Sequence, residues 1–160
     1  GVVVLPVGQN TPFLSLNFVN APEITPAILR AMEPVAENVI WLKFSGTALN
    51  DSTLTLISTF KNLTKLHLDH TAADDASLVF LQNMERLVYL NLVGTKVTAQ
   101  GVATLGGLPN LQQIYLYQSG VKPEDLPGLR AKFPRRVQID SGGYRVPVLA
   151  TDTTFLPVTK

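Results

Sequence analysis

The sequence contains no cysteine. Disulfides, thiolate metal sites, a cysteine nucleophile and the C-x-x-C-H attachment of a c-type haem are therefore excluded from this chain, while the compartment is left undecided. Excess charge is also lacking. Thirteen Lys and Arg stand against twelve Asp and Glu across 160 residues, a net charge of +1, and so small a field draws the chain toward neither nucleic acid nor an anionic membrane. No apolar run approaches the ~18 residues of a membrane span, so direct membrane insertion is not expected of this stretch. The opening "GVVVLPVGQN" has no initiator Met and no charged region before its short apolar run, and it reads as a fragment of a larger protein. Histidine occurs twice, so a Ser-His-Asp hydrolase would have to activate its nucleophile with one of these two. What is abundant is apolar: 46% of residues, enough for one sizeable core.

The apolar residues recur in a frame of 24 residues. The segments "VIWLKFSGTALN", "LTKLHLDHTAAD", "LVYLNLVGTKVT" and "LQQIYLYQSGVK" begin at Val39, Leu63, Leu87 and Leu111. Their fourth and sixth places are Leu42/Phe44, Leu66/Leu68, Leu90/Leu92 and Ile114/Leu116, the alternation of a short half-buried strand. The second half of each unit changes period. Leu54/Ile57/Phe60, Leu78/Leu81/Met84, Val102/Leu105/Leu108 and Leu126/Leu129/Phe133 each form one stripe on a short α- or 3₁₀-helix, the last stretched by one residue. Asn50, Asp74 and Thr98 stand where a side-chain oxygen can cap each helix. In the fourth unit Pro123 takes the first helical position after Lys122.

A degenerate unit precedes these four, with Leu16 and Phe18 as strand residues, Thr25-Pro26 as helix start and Leu29, Met32 and Val35 as stripe. After the fourth helix, "VQI" at 137–139 adds a final strand. Terminal units of a solenoid must cover the ends of its core. The expected organisation is a capping, degenerate repeat at 1–38, four repeats at 39–135, and a cap strand with a tail at 136–160.

The pattern L-x-x-L-x-L-x-x-T-x-V-T followed by a striped helix, as in "LVYLNLVGTKVTAQGVATLGGLPN", resembles the leucine-rich repeat of the 24-residue bacterial type over roughly residues 13 to 140. The family's T-D-x-G-L continuation is only approached, by Asn50-Asp51, Asp74-Asp75, Thr98-Ala99 and Gly101. The resemblance implies an α/β fold: a right-handed leucine-rich-repeat solenoid of about five repeats, a parallel sheet on its concave face and short helices on its convex face. The "GTKVT" turn and the closing "FPRRVQIDSGGY" are similar to the repeat region of large bacterial envelope proteins that also carry a c-type cytochrome module. This second resemblance implies a periplasmic or envelope location.

In such a solenoid the residues between the leucines point out from the sheet. The outward row reads Ser15, Asn17, Val19; Trp41, Lys43, Ser45; Lys65, His67, Asp69; Tyr89, Asn91, Val93; Gln113, Tyr115, Tyr117; and Gln138 and Asp140. Aromatic residues flanked by Lys, His and Asn have the composition of an interface anchor region. Trp41, Lys43, Lys65, His67, Asp69, Tyr89, Asn91, Gln113, Tyr115 and Tyr117 are the candidate partner-binding residues. The competing reading is that such side chains suit strands and stack on one another. Thr47, Thr71, Thr95 and Ser119 form a column at the turns, read as hydroxyls bonding to backbone groups.

Other motifs lead to less. In "HLDH", His67 and Asp69 share a face but His70 does not, too few ligands for a metal site. No G-x-S-x-G elbow supports a hydrolase. "SGG" at 141–143 lacks the strand-to-helix context of a phosphate loop, and the basic "RAKFPRR" reads as a solvated face. The expectation is a non-catalytic module, not an enzyme, without cofactor or metal, that recognises a protein, peptide or glycan on its concave sheet. The alternative is a structural or assembly domain, packed on sibling domains of a membrane-associated cytochrome protein whose haem is carried elsewhere.

Overall fold

The computed structural model describes residues 2–18, 24–49 and 51–143. Val19, the cap at Asn50 and the tail at 144–160 lie outside the described residues. Seven strands form one sheet in strict chain order: β1 (Val3–Pro6), β2 (Leu14–Asn17), β3 (Val39–Lys43), β4 (Lys65–His67), β5 (Tyr89–Asn91), β6 (Gln113–Tyr115) and β7 (Gln138–Asp140). Between them run α1 (Pro26–Arg30), α2 (Asp51–Ile57), α3 (Asp75–Val79), α4 (Ala99–Ala103) and α5 (Leu126–Arg130). Helix α1 packs on α2, α3 on α4 and α4 on α5, so the helices form a second layer beside the sheet.

The repeat frame becomes a register. Leu42 pairs with Leu66, Leu66 with Leu90, Leu90 with Ile114 and Ile114 with Ile139. All five are buried in one continuous core with the helix stripes Leu54/Ile57/Phe60, Leu78/Leu81/Met84 and Val102/Leu105/Leu108. Leu129 and Phe133 close the fourth stripe. The extra residue before Phe133 is absorbed in a turn, where its N–H donates to the Arg130 carbonyl at 3.2 Å.

The expectation of a wholly parallel sheet needs correction at its N-terminal end. Strands β2 to β7 are parallel, but β1 runs antiparallel to β2, with Val3 opposite Asn17 and Pro6 opposite Leu14. A run of β-branched residues followed by a turn in which Asn10 has φ +61° makes this hairpin. Pro6, which has no N–H to donate, is tolerated because β1 is an edge strand. Val3, Val4 and Leu5 are exposed, and only the neighbouring Val2 packs on the core.

Helix starts follow the capping chemistry. Asp74 accepts from the Ser77 N–H at 3.1 Å while Ser77 Oγ accepts from the Asp74 N–H at 3.2 Å, a reciprocal box. The backbone bond from Ser77 holds the Asp74 carboxyl below its ordinary value. Thr98 accepts from the Gln100 N–H at 3.3 Å. Thr25 stands at the first cap without a side-chain bond, and Pro26 opens the helix behind it. Asp75 reaches across one repeat to accept from the N–H and the hydroxyl of Thr98, both at 2.7 Å. A side chain on Gly101 would collide with that carboxylate, which explains the glycine there.

After each inner strand the chain turns through the left-handed region at one fixed place: Gly46 (φ +69°), His70 (+56°), Gly94 (+67°) and Gln118 (+54°). The hydroxyl column follows immediately. Thr47, Thr71 and Thr95 donate to the carbonyls of Phe44, Leu68 and Leu92 at 2.9, 2.6 and 2.6 Å, and Ser119 accepts from the Val121 N–H at 3.3 Å. These hydroxyls close their own turns.

Two outcomes follow. Leu90→Ala and Leu81→Ala should each lower the unfolding free energy by about 2–5 kcal/mol, read from denaturant midpoints, because each leaves a cavity in the shared core. Gly46→Ala should cost about 1 kcal/mol for its left-handed backbone. Gly94→Ala should cost more in the same assay, because its new Cβ would stand 2.5 Å from Nδ1 of the His70 ring, whereas the space at Gly46 is open.

Candidate functional site

The register that buries the leucines sets the intervening residues in two lines across the other face of the sheet. One line is Ser15, Trp41, Lys65, Tyr89, Gln113 and Gln138, each paired with the next. The other is Asn17, Lys43, His67, Asn91, Tyr115 and Asp140. Adjacent strands are ~4.8 Å apart, so neighbours within a line are in side-chain contact range. Asp69 and Tyr117 stand just past the strand ends, where the Gly46 and Gly94 N–H groups still donate to their carbonyls at 2.9 Å.

Nine of the ten candidate residues are half-buried, and Tyr117 is exposed. The aromatic rings link diagonally between the lines. His67 lies 4.9 Å from Tyr89 and Tyr89 lies 5.1 Å from Tyr115, centroid to centroid, with tilts of 35° and 36°. Lys65 holds Nζ 4.3 Å from the centre of the Trp41 ring. Contacts of this kind contribute about 0.5–1.5 kcal/mol for ring pairs and somewhat less for an exposed cation over a ring. Part of the row is therefore packed on itself, as the ladder reading expects.

A polar chain runs alongside. Asn91 Nδ2 donates to Asp69 Oδ1 at 3.2 Å, Asn91 Oδ1 accepts from the Val93 N–H at 3.0 Å, and His67 Nδ1 lies 3.6 Å from Asp69 Oδ1. That last distance is ion-pair range but long for a hydrogen bond. Burial pushes the His67 imidazole below its ordinary value. Asp69 pulls the other way, and Lys43 and Lys65 add to the lowering. Tyr89 is pushed up by burial, with Tyr115 and Asp69 contributing.

Two hollows open on this face. One, of about 250 Å³, lies between β2, β3 and β4 and is lined by Ser15, Asn17, Trp41, Lys43, Lys65 and His67. The other, of about 650 Å³, lies by Tyr115, Tyr117, Asp140, Gly142 and Gly143. The candidate residues thus divide: Trp41, Lys43, Lys65 and His67 line the first, Tyr115 and Tyr117 the second, and Tyr89, with its ring against both His67 and Tyr115, joins them. Asn91 and Asp69 buttress the middle, and Gln113 sits in its line beside Tyr89.

Sequence selection passed over Ser15, Asn17 and Asp140, although all three are in the outward row. It also missed that "SGG" shapes a wall. Gly142 (φ +73°) donates to Asp140 Oδ1 at 2.9 Å, and a side chain on it would run into the Tyr117 ring. The cue was a glycine pair one residue beyond an outward aspartate.

His70 faces away from His67, against Gly94 of the next turn. Among the described residues no three or more His, Asp or Glu gather as a metal-binding group. In "RAKFPRR", Arg130 donates to the Ile139 carbonyl at 3.3 Å and Arg136 to the Pro109 carbonyl at 2.6 Å, so both close the last repeat.

No protein-family model matches the chain, and a search of curated proteins finds no match. Among solved structures, an internalin (inlF) from Listeria monocytogenes superposes with a TM-score of 0.53 at 19% sequence identity, covering 70% of this chain and 31% of that one. The likeness establishes the class of fold, an α/β solenoid of the leucine-rich-repeat kind. It does not extend to cytochrome-bearing envelope proteins.

The lowered His67 fixes a pH dependence. Its folded value lies below the unfolded 6.5, so the unfolded chain binds the proton more readily. The associated stability is complete above about pH 6.5 and declines as pH falls from there through the folded value. Chemical denaturation at pH 7.5 and pH 5 should show a larger loss for wild type than for His67→Asn.

Proposed function

We propose that the chain is a non-catalytic binding module that recognises a protein or peptide partner on the open face of its sheet. On this reading the sheet is the concave side of a right-handed solenoid of about five repeats. Residues 1–38 form the N-terminal cap, 39–135 the four regular repeats, and 136–160 the closing strand and tail.

One observation carries the reading. Places paired in register across the sheet hold Leu42, Leu66, Leu90 and Ile114 on the buried side, but Trp41, Lys65, Tyr89 and Gln113 on the open side. Packing demands similarity on one face and leaves the other free to vary. The varied residues include aromatic rings and half-buried polar groups around two hollows, the arrangement by which interfaces bury anchors and fix orientation. Trp41, Lys43, Lys65, His67, Asp69, Tyr89, Asn91, Gln113, Tyr115 and Tyr117 are the proposed contact residues. No group among them is arranged as a nucleophile with its base, and the reading assigns no reaction.

The internalin spans roughly three times the length matched here, and its likeness supports the fold of the module, not the identity of its partner. The partner is to be captured from the source cell with wild type and with a Tyr89→Ala/Tyr115→Ala variant, then titrated. Each substitution should weaken the complex by about 1–3 kcal/mol while the variants stay folded, and Lys61→Ala on the helix side should change little. Equal affinity for the folded double variant and wild type would remove the open face as the site.

A further inference from the structure

We infer that the hollow between β2, β3 and β4 is an anion subsite that receives a side-chain carboxylate from an acidic, extended segment of a protein partner. The inference rests on the open sheet face being the binding surface and names the chemistry that one end of it selects.

Lys43 and Lys65 sit on adjacent strands in different lines and both line the hollow of about 250 Å³. Neither forms an ion pair with a carboxylate among the described residues. Among the described residues, the carboxylate ion-paired on this face is Asp69, and its partner is His67. Both ammonium groups are close enough to His67 to lower its proton affinity, while the Asp69 carboxylate acts on the imidazole in the opposite sense and is already its partner. Lys65 is also held over the Trp41 ring, which restrains its flexible stem before any ligand arrives. Two half-buried cations without acidic partners, one already positioned, form a site whose missing component is negative.

The same geometry separates a peptide carboxylate from an acidic glycan. A sugar ring stacks on a free aromatic face. Here the Trp41 ring already carries the Lys65 ammonium, His67 leans on Tyr89, and Tyr89 is flanked by His67 and Tyr115. A slim carboxylate needs no stacking platform and fits a hollow of this volume. An extended segment leaving it can continue along the row past Tyr89 to Tyr115.

Trp41 is the only tryptophan of the chain, so its fluorescence reports on the hollow directly. The probes are an alternating Glu-Ser octapeptide, the same octapeptide with Gln for Glu, and a tetragalacturonate, each titrated into wild type at low and at physiological salt. The Glu octapeptide should give a saturable change in Trp41 emission that weakens with salt. Its affinity should drop at least tenfold in Lys43→Gln/Lys65→Gln and stay unchanged in Lys61→Gln. The Gln octapeptide and the tetragalacturonate should bind at least tenfold more weakly than the Glu octapeptide. Equal binding by the Glu and Gln octapeptides, or no effect of the double substitution, overturns the subsite. Tighter binding of the tetragalacturonate overturns the peptide assignment. If the captured partner loses affinity for Tyr89→Ala/Tyr115→Ala but not for Lys43→Gln/Lys65→Gln, the binding face stands and the subsite falls. If neither variant loses affinity, both fall.

Discussion

Everything in this molecule depends on neighbouring repeats keeping one register. A three-residue strand and a five-residue helix cannot bury enough apolar surface to offset the entropy of ordering them. Stacking changes that, because Leu66 is covered by Leu42 on one side and Leu90 on the other, with the helix stripes behind. A slip of one residue would turn the leucines to solvent and the Lys, His and Tyr residues into the core. The turns guard against it. Gly46, His70, Gly94 and Gln118 occupy the same left-handed place, and the threonine hydroxyls after it give the Phe44, Leu68 and Leu92 carbonyls a second donor beside the same residues' N–H groups.

That constraint also creates the proposed binding face. The same pairing that aligns leucines within the core aligns the residues between them on the opposite side. Two straight lines of side chains result, with rings bridging from one line to the other. Some of their energy is spent internally, in the His67, Tyr89 and Tyr115 contacts and in the Asp69 and Asn91 bond. Internal packing and recognition are compatible, since side chains held in place before binding lose less entropy when a partner arrives.

The repeat, the core positions and the identity of the outward row were legible in the sequence because they depend on spacing alone. Leu90 and Leu81 declare themselves by period, as do Tyr89 and Asn91 by default. Two features were not so legible. Strand β1 lies outside the frame, and only its β-branched run and the turn after it announced a hairpin with reversed direction. The hollows depend on how far side chains lean, so Ser15 and Asn17 joined the lysines, and Gly142 walled Tyr117, without a periodic signal. His70, by contrast, was legible from its place at the turn. It neighbours His67 and Asp69 in sequence but does not share their face, and its left-handed backbone sets it against Gly94.

The most direct test of the account is hydroxyl-radical footprinting of the chain alone and in complex with its captured partner. Trp41, Tyr89 and Tyr115 are reactive side chains on the open face, and Val79 is an exposed residue on the helix side. The account predicts protection at the three aromatics with Val79 unchanged. Protection confined to Val79 and its helix neighbours, with the aromatics oxidised as fast as in the free chain, would contradict it.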